Sequence, residues 1–96
     1  SVTVLPNPVR GRKVTFRVQT DRPIKVRVRV YDRFLDKVID LEKEGDKLFD
    51  LLWTLKQVPE GIYYFQAQVI DQATEAVTPL APQKFLILKG SSSRTR

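Results

Sequence analysis

The side chains of this chain that could do chemistry are carboxylates, serines and cations, and their spacing limits what that chemistry can be. Asp32 with Asp36, and Glu42 with Glu44 and Asp46, are hard oxygen donors of the kind that bind Ca²⁺. Lys43 and Lys47 interleave with the second group and no EF-hand-like loop pattern appears, so these acids are expected in solvated loops. Ser1 and Ser91 to Ser93 sit at the termini without a base beside them, and the chain has no His and no Cys. No activated nucleophile can be assembled from that set, and imidazole bases, thiols, disulfides and the commonest transition-metal ligands are missing together. A paired-carboxylate glycosidase needs a cleft and substrate subsites, for which 96 residues leave little room. No enzymatic activity, metal or cofactor is expected.

Cations are the larger resource, and they are unevenly spread. The net charge is +6, but residues 1–33 hold nine basic and two acidic side chains, residues 34–71 four and eight, and residues 72–96 four and one. Arg17, Lys25, Arg27, Arg29 and Arg33 form the candidate interaction face, with Arg22 nearby in sequence. Such a face suits nucleic acid, an acidic glycan or an anionic lipid surface. It is also what the wet side of a strand carries to keep its edge from aggregating, and alternation alone places Lys25, Arg27 and Arg29 in water. Only Tyr31 and Tyr64 are candidate outward-facing aromatics and no RNA- or DNA-binding signature is present, so nucleic acid is not an expected partner.

The elements that must position these residues are strands. A hydrophobic share of 42% and a charged share of 29% describe a chain that folds, and its length allows one core. Val14, Phe16 and Val18 alternate with polar residues over Lys13 to Thr20, and Ile24, Val26, Val28 and Val30 do so up to Tyr31. Further strands are predicted over Phe34 to Leu41, with a bulge where Leu35 and Val38 break the alternation, and over Leu48 to Leu55, with Phe49, Leu51 and Trp53 inward. The longest is predicted over Ile62 to Asp71, with Tyr63, Phe65, Ala67 and Val69 inward, followed by Lys84 to Lys89; Val2 to Leu5 is a seventh candidate. A helix over Leu35 to Leu48 competes, but Ile39, Leu41 and Leu48 make no clean apolar stripe. The predicted fold is therefore all-β, an immunoglobulin-like or fibronectin III-like antiparallel sandwich of about seven strands.

The separators agree, since Pro6-Asn7-Pro8, Asp21-Arg22-Pro23, Glu44-Gly45-Asp46, Pro59-Glu60-Gly61 and Pro79 to Pro82 all carry turn residues. Pro6 and Pro8 remove two backbone donors, so the first strand is expected to break there and pass from one sheet edge to the other. Gly61 is expected to take a positive φ before the longest strand. Trp53, Tyr63 and Phe65 supply the bulk of a core rather than a sugar platform, because alternation puts all three on the dry side with Val14, Phe16, Val28 and Val30. Residues 1–90 are read as the sandwich and 91–96 as a flexible tail. No apolar run is long enough to cross a bilayer, and no leader pattern opens the chain. A start at Ser1 without any Met is expected of a mature product or an excised segment.

Four stretches in order carry a resemblance: Leu5-Pro6-Asn7-Pro8-Val9; Val28-Arg29-Val30-Tyr31-Asp32; Trp53; and Gly61-Ile62-Tyr63-Tyr64-Phe65, followed by Lys84-Phe85-Leu86-Ile87. Together they resemble the Ig-like domain of the flagellar hook-capping protein and the related C-terminal modules of bacterial secreted proteins, including sorting domains of the type IX secretion pathway. The chain departs from that pattern where the family has Gly after the Tyr-Asp pair and after the Trp; here stand Phe34-Leu35-Asp36 and Thr54-Leu55. The resemblance implies a structural or accessory module of a larger bacterial protein, placed outside the cell, on its surface or in the periplasm. It would serve as spacer, attachment or sorting unit, with other domains of its chain, the export machinery or copies of itself as partners. Self-association through the oppositely charged segments, in a surface layer or filament, is one alternative, and binding of an anionic polymer is another.

Overall fold

In the computed structural model, which describes residues 1–88, the period-two alternation becomes nine strands. These are β1 (Val2–Leu5), β2 (Val9–Arg10), β3 (Lys13–Gln19), β4 (Ile24–Tyr31), β5 (Lys37–Gly45), β6 (Leu48–Thr54), β7 (Gly61–Asp71), β8 (Val77–Pro79) and β9 (Gln83–Leu88). One sheet has three strands in the order β1-β3-β6; the other runs β2-β9-β7-β4-β5, with β8 added to β7. Every pairing is antiparallel except β2 with β9. The molecule is thus an all-β, immunoglobulin-like sandwich.

The dry faces meet as the alternation requires. Val14, Phe16 and Val18 of β3, with Leu51 and Trp53 of β6, oppose Val26, Val28 and Val30 of β4, Tyr63, Phe65 and Ala67 of β7, and Phe85 and Ile87 of β9. Among the described residues no polar or charged one is fully buried, so the core is held by apolar area and ring packing. Phe16 bridges the sheets, its ring edge-on to Phe65 at 5.1 Å and to Phe85 at 6.1 Å between centroids.

The punctuation acts as turn chemistry demands. β1 pairs with β3 in the small sheet; after Pro6-Asn7-Pro8 the chain continues as β2 beside β9 in the large one. The Leu5–Pro6 and Asn7–Pro8 peptides are both cis. Gly61 opens β7 at φ 148°, a value that side-chain-bearing residues rarely take. Gly45 matters for a different reason: a Cβ there would lie only 2.5 Å from the Phe49 ring, which folds over the β5–β6 corner.

The structure corrects three expectations. The fifth strand is not Phe34 to Leu41, because Asp32 caps a turn that takes in Phe34, Leu35 and Asp36, delaying β5 to Lys37–Gly45. The expected bulge is present at Val38, since Val30 pairs with Ile39 but Tyr31 with Lys37, so that Val38 is skipped. Gly45 therefore ends a strand instead of sitting in a loop, and Pro79 ends β8. The short β2 and β8 raise the count above seven; both are edge additions of two and three residues, too short to show a period. The last strand is β9, and Lys89 and the predicted tail 91–96 lie outside the described residues.

Strand directions divide the turns between two poles. The β2–β3 turn, the β4–β5 turn, the β6–β7 loop and the end of β9 share one pole. Ser1 and the β3–β4, β5–β6 and β7–β8 turns share the other, where Ser1 exchanges backbone hydrogen bonds with Gln19.

Candidate interaction surfaces

On the outer face of the large sheet Lys25, Arg27 and Arg29 stand in a row on β4, as alternation placed them. The register sets Glu44, Glu42 and Asp40 of β5 directly opposite. Arg27 reaches diagonally to Asp40 with two parallel bonds, Nε to Oδ1 at 3.1 Å and Nη2 to Oδ2 at 2.9 Å. Lys25 meets Glu42 at 3.1 Å. Arg29 Nε and Lys37 Nζ approach the same Asp40 at 3.7 and 3.6 Å, and the buried Arg29 Nε finds no hydrogen-bond acceptor. The face is therefore a laced, nearly neutral pair of strands, not a basic plate.

The other two candidate cations lie elsewhere. Arg17 belongs to β3 and points from the outer face of the small sheet, where it forks onto Asp50 at 3.0 and 3.1 Å. Arg33 sits in the β4–β5 turn, its guanidinium 4.8 Å from the centre of the Phe34 ring. The five side chains are thus not one face: three share the large sheet, one the small sheet and one a pole. The charged segments meet in the same way. The basic strands β3 and β4 pair with β6 and β5, whose acids neutralise part of the excess along the sequence within a single copy.

These carboxylates titrate accordingly. The hydrogen-bonded Arg27 guanidinium holds Asp40 below the usual carboxylate range, and Arg17 does the same for Asp50. Asp71 is lowered first by the Ala73 backbone N–H that it caps, then by Arg22 at 3.1 Å. A carboxylate with a depressed folded pKa stabilises the fold above its unfolded value, and that contribution is lost as pH falls through the folded value. Thermal stability is expected to hold steady down to the ordinary value of 3.8 and to fall below it. Melting curves of wild type and a combined Asp40→Asn, Asp50→Asn, Asp71→Asn variant check this. The variant should be less stable at neutral pH and show a shallower acid slope; an unchanged slope would remove these groups from the account.

Asp32 and Asp36 lie in a turn, as expected, whereas Glu42 and Glu44, expected in a loop, stand on β5. Asp32 Oδ1 accepts the N–H groups of Phe34 at 2.8 Å and Asp36 at 3.0 Å. Among the described residues no group of three or more acidic, His or Cys side chains is placed to hold a metal. Trp53, Tyr63 and Phe65 are buried, so they offer no sugar platform.

A concave feature lies at the pole where β9 ends. A groove of about 820 Å³ runs between the β4–β5 turn and the β6–β7 loop, floored by Trp53 and walled by Phe34, Val58, Pro59 and Ile62. Phe34 and Leu35 project beside it, 68% and 72% exposed, the two most exposed large apolar residues described. Sequence reading missed this site, because the groove is assembled from two segments separated by most of β5 and of β6; the one local signal was Phe34-Leu35 in a turn where the resembled family has Gly.

No protein-family profile matches the chain, and no curated protein does. Among solved structures, the crystal structure of dimeric latent PorU from Porphyromonas gingivalis contains a similar domain, with a TM-score of 0.76 at 22% identity. The similarity covers 92% of this chain and 9% of that one, so this chain spans less than a tenth of the protein it matches. At that identity the likeness establishes the fold.

Proposed function

We propose that this chain is a non-catalytic module of a larger exported bacterial protein, acting as a spacer, attachment or C-terminal sorting unit outside the cell or at its surface. The observation that carries the reading is axial: residue 2 and residue 88 lie at opposite poles, so the polypeptide passes through the sandwich from end to end. A domain with that path can be threaded in series without doubling back. The likeness to a small part of PorU supports the same reading, since there an equivalent sandwich is one part of a far longer chain. The surface chemistry supports it too, because the charged rows of the strand faces are largely engaged in ion pairs of their own. Deleting the module from its parent should leave the activity per molecule of the remainder unchanged. For a sorting or attachment unit the amount of parent recovered at the cell surface should fall several-fold; for a spacer it should not. Loss of activity per molecule in a parent that still folds would overturn the non-catalytic reading.

A further inference from the structure

Most of the cations that the strand faces do not use collect at one end of the molecule, Lys47 in the β5–β6 turn and Lys84 on β9 being the exceptions. Among the described residues Arg10, Arg12, Lys13 and Lys56 make no ion pair and no side-chain hydrogen bond with another described residue, and Arg33 touches only the Phe34 ring. They come from three separate segments. Arg10, Arg12 and Lys13 bracket the β2–β3 turn, and Arg12 O accepts the Leu55 N–H at 2.7 Å, which joins that turn to the loop carrying Lys56. Lys56 and Arg33 face the same groove as Phe34.

From the middle of this basic pole projects an apolar tip built at a cost. Leu35 holds φ 66°, a left-handed conformation in which Gly would be unstrained, while exposing most of its side chain. The N–H donors of the tip are also satisfied within the turn. The Phe34 N–H donates to Asp32 Oδ1, the Leu35 N–H to Asp32 O, and the Asp36 N–H to Asp32 Oδ1. Three consecutive donors therefore need no water, which lowers the cost of moving this backbone out of it.

We infer that this pole docks on an anionic lipid surface, with Phe34 and Leu35 entering the headgroup–acyl boundary and Arg10, Arg12, Lys13, Arg33 and Lys56 facing the headgroups. Convex projection with satisfied backbone donors suits insertion into a fluid layer. Cations spread over three segments match a flat field of charge, not a single carboxylate. Asp32 and Asp36, on the same turn, and Glu60, beside the groove, oppose the contact.

The test is flotation of the isolated chain with vesicles of phosphatidylcholine alone and of phosphatidylcholine with one third phosphatidylglycerol, at low and raised salt. Binding is expected only to the anionic vesicles and should weaken with salt. Phe34→Ser with Leu35→Ser should weaken it by about tenfold or more, as should Arg12→Glu with Lys56→Glu, whereas Asp36→Asn should tighten it. Leu35→Gly separates insertion from strain: it relieves the backbone, raises the melting temperature and still weakens binding. Wild type that stays with the unbound fraction overturns the proposal and leaves the groove to a protein partner. So does binding that ignores the Phe34 and Leu35 changes, which would be adsorption by charge alone.

Discussion

Phe16→Ala is expected to destabilise the domain by about 3–5 kcal/mol, the cost of removing a fully buried aromatic ring and leaving a cavity. Phe16 has no exposed surface, and its ring is the contact through which the small sheet meets Phe65 of β7 and Phe85 of β9. Phe65 and Phe85 are themselves edge-on at 5.9 Å, so removing Phe16 leaves two of three mutually packed rings facing a void. Each edge-to-face pair adds roughly 0.5–1.5 kcal/mol beyond burial, which places the loss toward the upper end of the range. A domain of this size has roughly 5–15 kcal/mol in total, so the variant should lie near the limit of folding. Phe16→Leu keeps most of the volume and should cost about 1–2 kcal/mol. Urea unfolding followed by the fluorescence of the buried Trp53 measures both, and a loss below roughly 1 kcal/mol for the alanine variant would mean that the rings do not clamp the sheets.

How much of this was legible in the sequence depends on the range of the interaction concerned. Faces were local: alternation identified Val14, Phe16, Val28 and Val30 as inward, and all four are fully buried. Punctuation was nearly as local, since proline and glycine act through their own dihedral angles. The β5 boundary was misplaced because a single side chain, Asp32, satisfies the backbone of the residues after it, and Asp in a turn has several ways to do so. β2 and β8 left no periodic trace, because their pairing is supplied by β9 and β7. The meaning of the charges was non-local throughout. Arg27 looked available until β5 was placed beside β4, and Arg17 appeared to belong with it until β3 was assigned to the other sheet. The basic pole was hidden for the same reason, since which cations remain unpaired is decided only after the strands have paired.

Tyr63→Ala should cost nearly as much as the loss of Phe16, about 3–5 kcal/mol, and Tyr63→Phe about 1 kcal/mol; the gap between the two is the informative quantity. Tyr63 stands near the start of β7, its ring packed 6.0 Å from Phe85 and its hydroxyl donating to the Pro59 carbonyl at 2.5 Å. That bond ties the β6–β7 loop to the strand it precedes, the arrangement that immunoglobulin-like sandwiches use at this corner. Removing only the hydroxyl frees a carbonyl on an exposed residue that water can reach, hence the small cost; removing the ring opens the core beside Phe85. Burial, with Asp32 adding to it, raises the Tyr63 pKa above 10.0. A folded pKa raised in this way contributes stability that is fully present below the unfolded value and is lost as pH rises through the folded one. Wild type should therefore lose part of its advantage over Tyr63→Phe above about pH 10. Chemical denaturation of wild type and both variants at neutral and alkaline pH resolves ring from hydroxyl. Equal stabilities for wild type and Tyr63→Phe at neutral pH would leave the loop held by packing alone.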